Sequence, residues 1–167
     1  MDAASELPTD RTITITRTVK APRALVWQAC TDPQHIDRWW GPDGFTNKTL
    51  SHDLRVGGQW KYTMTAADGT VFPNLITYTE VTPIDRLVYD HGDWENPKMF
   101  VGSLTFTEVE GGTLVSLHTT FPSKEARDFV IERHGAIEGG KQTLGRLANY
   151  LEMNGQGSPS PTKTPTP

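Results

Sequence analysis

Between residues 12 and 20 the chain reads TITITRTVK, with Ile13, Ile15 and Val19 on one parity, threonines on the other, and Arg17 as the exception in the apolar series. A period of two puts those apolar side chains on one face of a strand. Strand patterns recur at 46–53, 59–65, 72–81, 87–91, 99–108 and 113–121, divided by Gly57-Gly58, Asp68-Gly69, Thr82-Pro83, a loop holding Asp93, Asn96 and Pro97, and Glu110-Gly111-Gly112. Short turns between successive strands predict an antiparallel meander. Helical spacing is confined to three places. Residues 23–30 carry Leu25, Val26 and Ala29 behind Pro22; residues 32–40 begin at Asp32-Pro33, carry Ile36, Trp39 and Trp40, and stop at Gly41-Pro42, so two short helices in a V are expected. From 123 to 153, Ala126, Val130, Ile137, Gly140, Leu144, Leu147 and Leu151 share one stripe, which predicts a single long helix capped by Ser123. Seven strands are too many for a flat sheet over one helix. The expected fold is α+β: a curved seven-stranded antiparallel sheet wrapped around a long C-terminal helix, with a gap between them.

Composition narrows the partners. The pattern divides the chain into a flexible segment 1–11, one domain 12–153, and a Pro/Ser/Thr tail 154–167 expected to be disordered. A net charge of -4 without a Lys/Arg cluster argues against nucleic acid. No secretory pattern opens the chain and no apolar run is long enough to span a bilayer, so a cytoplasmic location is expected. Cys30 is the only cysteine and lies among Leu25, Val26 and Ala29, which reads as a buried, inert thiol. The five histidines form no HxH or HxxxH pair, so no metal site is expected, and neither is a cofactor. Without a GxSxG elbow, a phosphate loop or a dinucleotide fingerprint, a nucleophilic or metal hydrolase is disfavoured.

Several short motifs then fall in a telling order. They are Asp32-Pro33, Trp39-Trp40-Gly41-Pro42, Asp53-Leu54-Arg55-Val56-Gly57-Gly58, Tyr78-Thr79-Glu80-Val81, Asp85-Arg86-Leu87-Val88-Tyr89, and a closing Gln142-Thr143-Leu144 with Arg146-Leu147-Ala148 and Tyr150-Leu151. Over about residues 12–153 the chain resembles the SRPBCC superfamily of START-like and birch-pollen-allergen-like proteins, in the bacterial branch related to the activator of heat-shock-protein-90 ATPase. The resemblance implies a helix-grip fold and a small hydrophobic or aromatic molecule held between sheet and helix, in a carrier, sequestering or sensing role. Many relatives place a tryptophan after the mid-helix glycine; here Gly139-Gly140 stands instead, so the cavity wall there is expected to differ.

Alternation nominates the residues of that cavity. Trp60, Tyr62 and Met64 share one strand face; Leu87, Tyr89 and His91 share another; Leu104 and Phe106 form a third; Trp40, Tyr78, Ile137, Gly140 and Leu144 complete the candidate ligand-binding set. These aromatic faces either line a cavity or fill a core. The inward face of 72–81 stays open, since Asn74, Tyr78 and Glu80 oppose Leu75, Thr77 and Val81 in parity. Paired glycines inside a helix imply a close approach, by Trp60 or by a ligand. His91, with Asp93 beyond a glycine to orient it, is the candidate acid-base pair; otherwise it is a strand-end histidine satisfied by backbone. Two other functions remain: a cofactor-independent cyclase, dehydratase or hydrolase using His91, Asp93, Tyr62 or Glu80, and a co-chaperone that stimulates a heat-shock ATPase. A homodimer is compatible with a domain of this size.

Overall fold

The computed structural model describes residues 9–154. The expected segment 1–11 and tail 154–167 therefore lie outside the described residues, except for a 3-10 turn at Thr9–Arg11 and the last helical residue, Asn154. Seven strands form one antiparallel sheet in the order β1-β7-β6-β5-β4-β3-β2. They are β1 (Thr12–Val19), β2 (Thr46–His52), β3 (Gln59–Thr65), β4 (Val71–Thr82), β5 (Arg86–Gly92), β6 (Phe100–Val109) and β7 (Gly112–Thr120). Helices α1 (Arg23–Thr31) and α2 (Pro33–Ile36) carry the chain from the β1 edge to the β2 edge, and the meander returns to pair β7 with β1. Asp32 caps α2 by accepting from the Gln34 N–H, with Pro33 in the first turn, where a missing N–H costs nothing.

A bulge resolves the parity of β4. Between Tyr78 and Glu80 the β4–β5 register shifts by one residue. Ile76 and Tyr78 therefore face the core before it, and Val81 turns inward after it. Glu80 is left on the surface, where it accepts from Arg86 and Thr82.

The predicted long helix is two helices. Lys124–His134 (α3) ends at Gly135, whose φ of 59° is left-handed and whose N–H reaches back to the Ile131 carbonyl; Ala136–Asn154 (α4) then restarts. The stripe does not continue across the break. Leu144, Leu147, Ala148 and Leu151 of α4 are buried, but Ile137 is 37% exposed and α3 buries no residue fully.

Gly140 explains how closely α4 lies on β1. A Cβ at that position would stand 2.8 Å from Ile15 Cγ1, whereas at Gly139 it would meet only Pro42 Cβ at 3.8 Å. The close approach is thus to Ile15 of β1, not to Trp60. Gly139→Ala is expected to stabilise the fold by about 0.5–1 kcal/mol, the usual gain from a strain-free glycine replacement. Gly140→Ala gains the same propensity but crowds Ile15, at a cost of about 1–3 kcal/mol for overpacking. Urea titration of both variants checks this, and an equal gain in the two would mean that α4 does not press on Ile15.

Candidate functional site

The concave face of β3 is an aromatic stack. Trp60 and Tyr62, two residues apart, stack at 3.8 Å with ring planes 15° apart, and Trp40 meets Trp60 edge-on at 5.8 Å. Each polar end has a partner. Trp40 Nε1–H donates to Tyr62 Oη (2.9 Å), Trp60 Nε1–H donates to Thr49 Oγ1 (3.0 Å), and that hydroxyl donates to Asp37 Oδ1 (2.5 Å). Tyr78 Oη lies 3.0 Å from His52 Nε2. Burial raises the phenol pKa values of Tyr62, Tyr78 and Tyr89, so all three stay neutral hydroxyls. Trp40, Trp60, Tyr62, Tyr78, Tyr89, Phe106 and Leu144 are buried as parts of one hydrophobic core, with Met64 packed against it. Cys30 is buried there too, its thiol pushed up by desolvation.

Arg146 fastens the Trp39-Trp40 loop to α4. Its Nη1 donates to the carbonyls of Trp40 (3.3 Å), Gly41 (2.9 Å) and Pro42 (2.7 Å), and its Nη2 donates to that of Phe45 (3.0 Å). Those carbonyls belong to a loop between α2 and β2 with no ladder of its own; the guanidinium bridges all four, sharing that of Trp40 with Asn47 Nδ2 (2.8 Å) and that of Pro42 with the Phe45 N–H (3.2 Å).

His91 sits at the end of the stack. Its Nε2 lies 2.9 Å from Asn74 Oδ1 and 3.4 Å from Tyr62 Oη, and its ring is 4.7 Å from that of Phe100. Asn74 Nδ2 donates to the Phe72 carbonyl, which leaves Oδ1 to accept from a protonated Nε2. Burial lowers the His91 pKa to about 4, so the ring is neutral at physiological pH. Asp93 does not orient it. Asp93 Oδ1 instead accepts from the backbone N–H groups of Glu95 (3.0 Å) and Asn96 (2.7 Å), closing an Asx turn. Asn74, in the unsettled parity of β4, is the partner that alternation alone did not identify.

The apolar space lies further along the sheet. A pocket of 190 Å³ opens where α3 gives way to α4. Ile13 and Ile15 of β1 and Leu117 and Thr119 of β7 form its floor, Phe100 and Phe121 one wall, and Val130, Ala136 and Gly140 its roof. Gly140 is the one nominated residue on this pocket; Leu144 borders a neighbouring groove of 400 Å³ with Ile15, Arg17 and Lys141. Phe100 joins the two regions, because its ring meets His91 on one side and Phe121, at 5.4 Å, on the other. Among the described residues no group of three or more His, Cys, Asp or Glu gathers that could hold a metal ion, and no helix is long and apolar enough to cross a membrane.

This arrangement of curved sheet, closing helix and intervening pocket matches a family model described as activator of Hsp90 ATPase homolog 1-like protein over residues 20–152. The chain belongs to that family. A Mycobacterium smegmatis protein of known crystal structure is 32% identical, with 87% of this chain and 93% of that one covered at a TM-score of 0.78. A Chromobacterium violaceum protein is 27% identical, covering 85% of this chain and 97% of its own, at 0.72. The AHSA1-like protein from Aeromonas hydrophila, at 22% identity, 90% and 98% coverage and a TM-score of 0.70, shares the fold. No curated protein matches the chain. Within this family's helix-grip fold, the motif residues Asp53 and Arg55 pair with each other on the surface at 2.7 Å and serve the turn before β3.

Proposed function

We propose that this AHSA1-like domain binds a small hydrophobic or aromatic molecule in the pocket beneath the α3–α4 junction, as a carrier or sequestering protein. The observation that carries the reading is a contrast within one interior. The aromatic core around Trp60 and Tyr62 is stacked and hydrogen-bonded, whereas apolar side chains of β1, β6 and β7 face a space that no side chain fills. An apolar cleft of this kind, partly open to solvent and bordered by a helix break, is suited to a guest. Membership of a family whose fold typically holds hydrophobic ligands supports the same reading.

Native mass spectrometry of the protein purified from its own host, followed by denaturation, tests it. A stoichiometric apolar molecule released on unfolding is the expected result. A protein that carries nothing and whose melting temperature is indifferent to hydrophobic probes would sink the proposal.

A further inference from the structure

We infer that the occupant of this pocket is an uncharged molecule about the size of one substituted aromatic ring; the inference rests on the ligand-binding reading above and specifies its chemistry. Size is set by the volume. An apolar cavity of about 150 Å³ accommodates benzene, and drug-sized ligands occupy roughly 300–1,000 Å³. At 190 Å³ the pocket, which opens to solvent on one side, matches a single ring with a small substituent.

The packing around the pocket keeps it from enlarging by a simple shift. Gly140 already brings α4 against Ile15, while Phe100 and Phe121 brace each other at 5.4 Å on the opposite wall.

Charge is set by the lining. None of the residues that bound the pocket is ionisable, and the Thr119 hydroxyl is the one polar side-chain group among them. A carboxylate or ammonium seated against this apolar lining would give up part of its hydration without a counter-ion, whereas one neutral hydrogen-bonding substituent could meet Thr119. The nearby cations Arg17 and Lys141 belong to the neighbouring groove, which shares Ile15 with the pocket.

The test titrates the full chain with toluene, benzoate and 1-dodecanol, following amide chemical shifts and melting temperature, and repeats the series in Ala136→Phe and Val130→Phe, which fill the roof from different helices. Toluene is expected to shift the amides of residues 117–119, to bind at least tenfold more tightly than benzoate, and to lose at least tenfold in affinity in whichever filled variant retains the native melting transition. Benzoate binding as tightly as toluene, through Arg17 and Lys141, would overturn the neutral class. Dodecanol binding more tightly than toluene, and lost on filling, would overturn the size while leaving the carrier reading standing. Toluene binding unchanged by both fillings would overturn the site. Failure of all three probes to bind would overturn this size and charge class, and the carrier reading would then stand or fall on the native mass spectrum.

Discussion

Arg146→Ala is expected to lower the melting temperature by about 10 °C. The guanidinium donates four hydrogen bonds to carbonyls spread over residues 40–45. Hydrogen bonds from a charged donor contribute roughly 1.5–3 kcal/mol each when measured singly. They share one side chain here, and water reaches the half-exposed loop once the side chain is gone, so the joint loss is about 3 kcal/mol rather than the sum. For a domain of this size about 3 °C of melting temperature corresponds to each kcal/mol. The damage would spread, since the same loop positions Trp40 over Trp60 and aims its indole N–H at Tyr62. Arg146→Lys should recover less than half of the loss, because an ammonium cannot fork across separated carbonyls. Calorimetry decides the matter, and a shift of only a degree or two in the alanine variant would mean that the loop holds itself.

Most of the sheet was legible because alternation has one meaning wherever one face is buried. Expected strands such as 12–20 and 59–65 differ from Thr12–Val19 and Gln59–Thr65 by a residue at most. The break at Gly135 was harder to read. A glycine inside a helical pattern costs only about 1 kcal/mol, so the stripe from Val130 to Gly140 could carry on through it by periodicity alone. The local signal was present nonetheless: Arg133 and His134 place basic residues in a last turn and Gly135 follows as its left-handed cap. The break also brings Val130 and Ala136 over the pocket proposed as the ligand site, a grouping that alternation, which nominated Trp60 and Tyr62, could not assemble. The facing of Tyr78 depended on the bulge at Thr79, which no composition signal announces, and the Asn74–His91 contact depended in turn on that facing. Asp93 is the opposite case. Its bond to the Glu95 N–H, two residues on, is an Asx turn, a local use that competes directly with any role at His91.

Stability is expected to fall by about 3 kcal/mol as the pH drops from 6.5 towards 4, with His91 as the main cause. The imidazole is held at about 4 in the folded chain by burial, and an unfolded histidine titrates near 6.5. Between those values the unfolded state binds a proton that the folded state refuses, so stability rises with pH through this window and is fully present above it. A gap of roughly 2.5 pKa units at about 1.4 kcal/mol each gives the magnitude. No other group should dominate the upper half of the window. His52 is lowered too, by desolvation that Asp32, Asp53 and Asp37 partly oppose, so it adds a smaller slope of the same sign. The paired carboxylates Glu80 and Asp128 have lowered pKa values and lose their stabilising charge only at more acidic pH. Urea unfolding from pH 7.5 to 5, repeated in His91→Gln, separates these contributions: glutamine keeps a donor for Asn74 Oδ1 but carries no titrating proton. The variant should lose most of the slope while staying folded at pH 7.5. An unchanged slope would mean that the folded protein accepts the proton on His91, and therefore that the end of the aromatic stack opens to water far more readily than its packing against Phe100 and Tyr62 implies.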